Sequence, residues 1–106
     1  MAGTYAVVWS TGAGRTAGRL ELGSDRLELS GPDRRLSVPL SEVSSVGIGR
    51  DRAERLLGLP VVVLERKAGA TVRIAALGGA GRLHEIVTQI EQARRLLEGY
   101  PAESGT

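Results

Sequence analysis

A glycine-rich stretch at residues 9–18, WSTGAGRTAG, has the composition of a loop that could bind a phosphate group. Such a site requires a strand, a tight glycine turn and then the N-terminus of a helix, whose free N–H groups bind the anion. An apolar run leads into this stretch and Arg15 lies within it, but the residues after Gly18 alternate as a strand does. The glycine spacing does not match the dinucleotide fingerprint, and no Gly-Lys-Ser or Gly-Lys-Thr follows. We therefore predict a hairpin turn.

A second glycine cluster, GGAG at residues 78–81, precedes a segment with helical periodicity. The N–H groups at the start of a helix could hold an anion. A connection that needs unusual backbone angles accounts for these glycines more simply. We predict a flexible connection into the last helix.

Catalytic and metal-binding arrangements are hard to assemble from this sequence. His84 is the single histidine and lies one step off the apolar stripe of the last helix, with nothing local to complete a triad. A zinc site would need further ligands. The strand-region acids favour a solvated sheet face over a catalytic carboxylate pair; they are Glu21, Asp25, Glu28, Asp33 and Glu42. We predict no catalytic residue, no metal site and no cofactor.

The composition indicates one small globular domain. The chain has 106 residues, no cysteine and a net charge of +2 from 14 basic and 12 acidic residues. This length can bury a core, the absence of cysteine excludes disulfides and thiolate sites, and the mild charge balance is unlike that of a nucleic-acid binder. All basic residues except Lys67 are arginine, which together with abundant Ala and Gly is typical of a GC-rich bacterial genome.

The chain shows neither a signal-peptide pattern nor an apolar run of membrane-spanning length. The longest apolar run, at 59–64, has six residues, whereas a spanning helix needs about 20. We expect a cytoplasmic protein with a single domain at residues 1–99 and a flexible tail at 100–106.

Alternating apolar residues predict seven strands between residues 5 and 76. Turn residues separate the strands, above all at 23–25 and 31–33. The segment 59–66 is apolar over most of its length, which predicts a strand buried on both faces. The predicted strands are Tyr5–Ser10, Gly18–Leu22, Arg26–Ser30, Arg35–Leu40, Val43–Gly49, Leu59–Arg66 and Thr71–Ala76.

A helical period replaces the alternation from Arg82 to Glu98. Gly99 and Pro101 predict that the helix ends there. Residues 50–58, RDRAERLLG, also have a helical composition, and we predict a single helical turn that crosses between sheets. The predicted apolar stripe of the last helix consists of Leu83, Ile86, Val87, Ile90, Ala93 and Leu97.

The order of these elements resembles that of the pleckstrin-homology-like (PH-like) domains, in the broad sense that includes GRAM and bacterial PH-type domains. The resemblance covers about residues 5–98. It implies a mainly β fold, a seven-stranded antiparallel β-sandwich or partly open barrel capped by one C-terminal amphipathic α-helix. It also implies a binding or scaffolding module without catalysis. The segments that carry it are GRLELGSDRLELSG (18–31), LSVPLSEVSSVGIGR (36–50), VVVLERKAGATVRIAAL (61–77) and GRLHEIVTQIEQARRLL (81–97).

Some PH-like domains bind phosphoinositides through basic residues in the loops at the open end of the barrel. Carried over to this chain, the resemblance implies that the ligand-binding residues are Arg15, Arg34, Arg35, Arg66 and Lys67. The lipid-binding members have a lysine and arginine cluster in the first hairpin, whereas this chain has Arg15 in that loop and Arg19 beyond it.

Three functions follow, and we rank them. The first is protein–protein interaction or self-association through a sheet edge or the groove beside the helix; Tyr5 and Trp9 would either anchor a partner or, as we prefer, belong to the core. The second is a peripheral module that binds anionic lipid or phosphate through the loop arginines. The third is single-stranded nucleic-acid binding, which ranks last because the chain has few aromatic residues for stacking.

Overall fold

Seven β-strands and one long helix form the protein in the computed structural model, which describes residues 3–12 and 14–104, with residues 80 and 98–104 described by their backbone alone. A 3₁₀ turn, Leu40–Glu42, joins the fourth and fifth strands. The elements are β1 (Gly3–Ser10), β2 (Thr16–Leu22), β3 (Arg26–Ser30), β4 (Arg35–Pro39), β5 (Val43–Gly49), β6 (Val61–Arg66), β7 (Val72–Ala76) and α1 (Ala80–Ser104).

The strands form one antiparallel sheet in the order β4-β3-β2-β1-β7-β6-β5. The sheet curls into a partly open half barrel, and α1 packs against β5, β6, β7 and the 3₁₀ turn. Strand β1 joins the two halves because its C-terminal part, Val7 to Trp9, pairs with both β2 and β7. The predicted architecture, mainly antiparallel β with one C-terminal helix, is confirmed.

The main core fills the concave side of the sheet. Leucines at alternate positions of β2 and β3 point inward, as the sequence pattern predicts for strands with one buried face. Tyr5 and Trp9 also lie in this core, with Trp9 only 1% exposed. These two aromatic residues are therefore structural and do not form an exposed anchor.

A smaller cluster covers part of the convex side. Val8, Val61 and Ala75 point outward from the sheet and are buried beneath Leu56, which belongs to the long β5–β6 connection. On the concave side the neighbouring β6 residue Val62 is also fully buried. The predicted burial on both faces is therefore found for Val61 to Leu64, with the β5–β6 connection as the second cover. The prediction is wrong for Leu59 and Pro60, because the strand begins only at Val61 and Leu59 is exposed.

Helix α1 ends later than the sequence predicts. Its buried face consists of Leu83, Ile86 and Ile90, as expected, but the helix continues through Gly99 to Ser104. Glycine costs about 1 kcal/mol and proline about 3 kcal/mol in a helix interior relative to alanine, so both weaken a helix without forbidding it. The helix therefore passes through the predicted domain boundary, and residues 105–106 of the predicted tail lie outside the described residues.

The predicted helical turn at residues 50–58 is wrong. The Glu54 amide donates to the Asp51 carbonyl at 2.9 Å in a turn, and a short hairpin follows. A single helical turn gains little because it fixes several residues for one hydrogen bond. Folding this segment against the convex face instead buries Leu56.

A hydrogen bond ties the first strand to the helix. The buried Tyr5 side chain donates its hydroxyl to Oε2 of Glu85 at 3.1 Å, and Oε1 of that carboxylate lies 3.2 Å from Nη1 of Arg82. Burial raises the pKa of Tyr5, and the Glu85 carboxylate raises it further, although Arg82 opposes this. Tyr5 therefore binds its proton more tightly in the folded protein than in the unfolded chain.

This pKa shift predicts a loss of stability in alkali. A group whose pKa is raised on folding stabilises the fold fully below its unfolded pKa, about 10 for tyrosine, and loses that contribution as the pH rises through the folded pKa. We expect the difference in unfolding free energy between wild type and Tyr5→Phe to shrink from pH 9 to pH 11, measured by urea unfolding. Other groups that titrate equally in wild type and variant contribute equally to both unfolding free energies, so their contributions cancel in the difference. A difference that stays constant or grows would contradict the prediction.

Candidate functional site

The predicted basic residues lie at one end of the sheet. The β1–β2, β3–β4 and β6–β7 connections all leave the sheet there, because β1, β3 and β6 run in the same direction. Arg15 is exposed in the first of these connections. The others lie in or beside the second and third connections; they are Arg34, Arg35, Arg66 and Lys67.

Arg34 is engaged by its own protein. Its guanidinium carbon lies 5.1 Å from the centre of the Trp9 ring, and its Nη2 donates to the Thr11 hydroxyl at 2.8 Å. The Trp9 indole in turn donates to the Ser30 carbonyl at 3.1 Å. A cation over an aromatic face is attracted by the ring, so Arg34 covers the end of the core and links two loops.

Replacing Arg34 with alanine should therefore destabilise the fold by about 1–2 kcal/mol, from the lost stacking and the lost hydrogen bond. Arg35→Ala is the matched control, because the neighbouring side chain points outward and should change stability by less than about 0.5 kcal/mol. Urea unfolding followed by Trp9 fluorescence measures both. Equal effects of the two substitutions would contradict the structural role.

In the third predicted loop, the Arg66 side chain contacts its own turn, whereas Lys67 contacts the protein through its backbone. Nη1 of Arg66 donates to the Ala70 carbonyl at 3.5 Å, so its guanidinium folds over the β6–β7 turn. The backbone amide of Lys67 donates to the Glu42 carbonyl at 2.7 Å, while its side chain is exposed. This arrangement fixes the β6–β7 turn against the 3₁₀ turn.

Arg35 has an outward-facing basic neighbour, Arg19, which is not among the predicted ligand-binding residues. Register pairs Arg19 with Ser30 and Ser30 with Arg35, so both guanidinium groups belong to one row across the convex face. Their Cα atoms are two strand spacings apart, about 10 Å. Both residues line an open depression of about 700 Å³ over β1 to β3. Arg19 also contacts Glu21 at 3.8 Å, an exposed ion pair.

The glycine-rich loop is a hairpin connection, as predicted. β1 and β2 pair antiparallel on either side of it, and no helix follows. Gly12 and Gly14 have φ angles of 129° and 73°, a left-handed region that glycine adopts without strain. Gly18 is needed for a different reason, because a Cβ at this position would lie 1.7 Å from the Ser30 carbonyl oxygen.

Other sequence candidates for chemistry remain on the surface. His84, one step off the apolar stripe of α1, is exposed. Among the side chains that the structure describes, at residues 3–12, 14–79 and 81–97, no group of three or more His, Cys, Asp or Glu is arranged to hold a metal ion. None of the helices formed by that part of the chain combines the length and apolar character needed to cross a membrane.

The opposite end of the sheet carries an apolar groove that sequence reasoning missed. The β5–β6 connection and the β7–α1 connection form its two sides, and its volume is about 270 Å³. Leu77, on one side, is 50% exposed, and Leu59, on the other, is also exposed. We call this surface the leucine groove; its lining residues are Leu59, Pro60, Ala76, Leu77, Gly79 and Leu83.

A tight turn beside the leucine groove holds a leucine in a strained conformation. Leu56 and Leu59 exchange backbone hydrogen bonds of 3.1 and 2.8 Å, and Leu57 and Gly58 between them have φ angles of 53° and 75°. This is the geometry of a two-residue type I′ turn, which favours Asn-Gly. A left-handed conformation costs an ordinary residue about 1–2 kcal/mol. Leu57 is nevertheless present there and 55% exposed.

A signal for this surface was available in the sequence. Residues 56–60 read LLGLP, which is unusually apolar for a connection between strands. The helical composition of residues 50–58 predicted a helical turn and gave no indication that these leucines are exposed. Leu77 gave no comparable signal, because it directly extends the apolar pattern of β7.

Comparisons with known proteins add fold information alone. No protein-family model matches the chain, and no curated protein matches it. A similar solved structure is the C-terminal domain of an unknown protein from Leishmania infantum, with a TM-score of 0.64 at 11% sequence identity. The similarity covers 83% of this chain and 81% of that one. At 11% sequence identity this similarity supports a shared fold alone.

Proposed function

We propose that this chain is a non-catalytic, PH-like binding module of a bacterial cytoplasm, and that its ligand is a protein. The PH-like assignment is supported by the strand order, in which β1 to β4 form one half of the curled sheet and β5 to β7 the other, followed by the C-terminal helix. The sequence segments that resemble PH-like domains coincide with these elements.

The observation that carries the protein ligand is the leucine groove. Leu59 and Leu77 expose apolar surface on both sides of a concave site whose lining residues are all apolar or glycine. Exposed apolar surface is common on proteins, but its concentration around a groove marks a binding surface. Fully burying an exposed leucine side chain contributes about 1.5–3 kcal/mol. Leu59 is 37% and Leu77 50% exposed, so a partner that covers both gains about the equivalent of one leucine.

Peptide selection tests this function. A phage-displayed library of random peptides would be panned against the wild-type protein, and each selected peptide tested against Leu77→Asp. Leu96→Asp is the matched control, because Leu96 is 60% exposed but lies on α1 away from the leucine groove. We expect peptides that bind wild type and Leu96→Asp but not Leu77→Asp. Failure to select any such peptide would contradict the proposed function.

A second candidate function is the binding of an anionic lipid or phosphate group. The row of Arg19, Ser30 and Arg35 on the convex face favours it, because two guanidinium groups flank a hydroxyl along one depression. Vesicle flotation with neutral and anionic lipids at low and physiological salt tests it. Arg35→Ala should weaken salt-sensitive binding, whereas Arg26→Ala, at the other end of β3, should not. The test avoids Arg34, whose loss would disturb the core.

A further inference from the structure

The leucine groove has a basic rim on both sides. On the β5–β6 side, Arg55 donates from Nε to the Arg50 carbonyl at 3.0 Å and from Nη1 to the Gly58 carbonyl at 3.3 Å. Gly58 directly precedes Leu59, which lines the groove. The Arg55 guanidinium is thus held at the edge of the groove. These two contacts use two of the five N–H groups of an arginine side chain and leave about three for a ligand.

The other side of the groove carries Arg82. Its backbone amide donates to the carbonyl of Gly79, a lining residue, at 3.1 Å, and its side chain lies close to Gly78. Arg82 pairs with Glu85 through Nη1 at 3.2 Å, and the Arg82 side chain remains about half exposed. One arginine therefore stands on each side of an apolar floor. Two backbone carbonyls hold the Arg55 guanidinium, and the Glu85 carboxylate holds that of Arg82.

The strained turn points to the same surface. Asn would satisfy the type I′ geometry of residue 57 without strain, yet the chain places an exposed leucine there, two residues before Leu59 of the groove. Strained backbone that persists in a folded protein is concentrated at binding and catalytic sites. An apolar side chain on the tip of a rigid turn is suited to contact a partner seated in the neighbouring groove.

We infer that the leucine groove binds a short acidic segment of a partner protein, in which bulky apolar side chains are flanked by Asp or Glu. The apolar side chains contact Leu57, Leu59 and Leu77. The carboxylates pair with Arg55 and with the N–H donors of Arg82 that its contact with Glu85 through Nη1 leaves free. The inference rests on the proposed function and specifies the chemistry of the ligand. A concave apolar site between two guanidinium groups fits a side chain with acidic neighbours better than it fits a lipid surface, for which two arginines supply only a weak attraction.

The composition and affinity of the selected peptides test this inference. Peptides from the panning that depend on Leu77 would be sequenced and synthesised in two forms, one as selected and one with every Asp and Glu replaced by Asn and Gln. Fluorescence polarisation would give the dissociation constant of each form. We expect the selected peptides to be acidic around apolar residues, and the amide forms to bind at least tenfold more weakly at low salt. The difference between the dissociation constants of the two forms should shrink at high salt, because dissolved ions screen the carboxylate–guanidinium pairs.

Variants of the protein supply the matched controls. Arg55→Gln and Arg82→Gln should each weaken the acidic peptide at least threefold and leave the amide form unchanged, whereas Arg26→Gln should change neither. Leu57→Asn should weaken both forms while raising the urea midpoint of unfolding, because the turn loses its strain. A higher unfolding midpoint would show that this variant binds more weakly because a contact is lost, and not because less of the protein is folded.

Three outcomes would overturn the inference. Peptides that depend on Leu77 but are neutral or basic would refute the acidic ligand and leave the protein-binding function standing. Failure to select any peptide that depends on Leu77 would refute both. Flotation on anionic vesicles that requires Leu57 and Leu77, without peptide binding, would assign the surface to a membrane.

Discussion

Replacing Gly18 with alanine is expected to destabilise the protein by about 3 kcal/mol, the upper part of the range for overpacked sites. The added Cβ would lie 1.7 Å from the Ser30 carbonyl oxygen and 2.7 Å from its carbonyl carbon. Both are backbone atoms of β3, so no side-chain rotation can relieve the contact. Strand β3 must move away from β2, and the Trp9 indole then loses the carbonyl to which it donates.

Urea unfolding followed by Trp9 fluorescence measures this effect, and the emission of the folded variant should differ from wild type as well. Gly47→Ala is the matched control. Gly47 also lies within a strand, but a Cβ there would have no neighbour within 4 Å. Its substitution should change stability by less than about 1 kcal/mol, and it can stabilise by restricting the unfolded chain. Comparable losses in the two variants would show that Gly18 is not a site of close approach.

Ile86→Ala should have an effect of similar or larger size, about 3–4 kcal/mol. Ile86 is fully buried between α1 and the concave face of the sheet, within the main core. Truncation removes apolar contacts and leaves a cavity that the rigid sheet cannot collapse to fill. The loss should appear as one cooperative transition at a lower urea midpoint, because helix and sheet share a single core.

Leu96→Ala is the control on the same helix. Leu96 is exposed, and alanine favours helix, so the substitution should change the unfolding free energy by less than about 0.5 kcal/mol. A separate early transition for the helix in Ile86→Ala, with the sheet unfolding at the wild-type midpoint, would contradict the single shared core.

Predictions about elements succeeded where burial follows local periodicity. In β2 and β3 every second residue is a leucine that faces the core, so the strands and their buried face follow from the pattern alone. The same reasoning identified Leu83, Ile86 and Ile90 on the helix. It failed at Leu97, which continues the stripe but is 42% exposed. An apolar stripe shows which face of a helix can be buried. It does not show where the sheet that packs against that face ends.

The candidate sites depended on information that periodicity does not contain. Arg34 and Arg35 are adjacent and chemically identical, yet the first stacks on Trp9 and the second faces outward beside the Arg19 row. Strand alternation separates them by face, but the contact with Trp9 exists only because the sheet curls and brings the ends of β1 and β3 together.

The sequence by itself therefore determined the seven strands, the helical stripe and the hairpin nature of the glycine-rich loop, because each reflects backbone geometry and burial over a few neighbouring residues. The tertiary structure alone decided the extent of α1, the covering of the convex face by residues 50–60, and the leucine groove. Leu59 and Leu77 are distant in sequence and meet at one end of the sheet because β5 and β7 both run toward it. A surface assembled from two connections follows from the curl and register of the whole sheet, which no local pattern encodes.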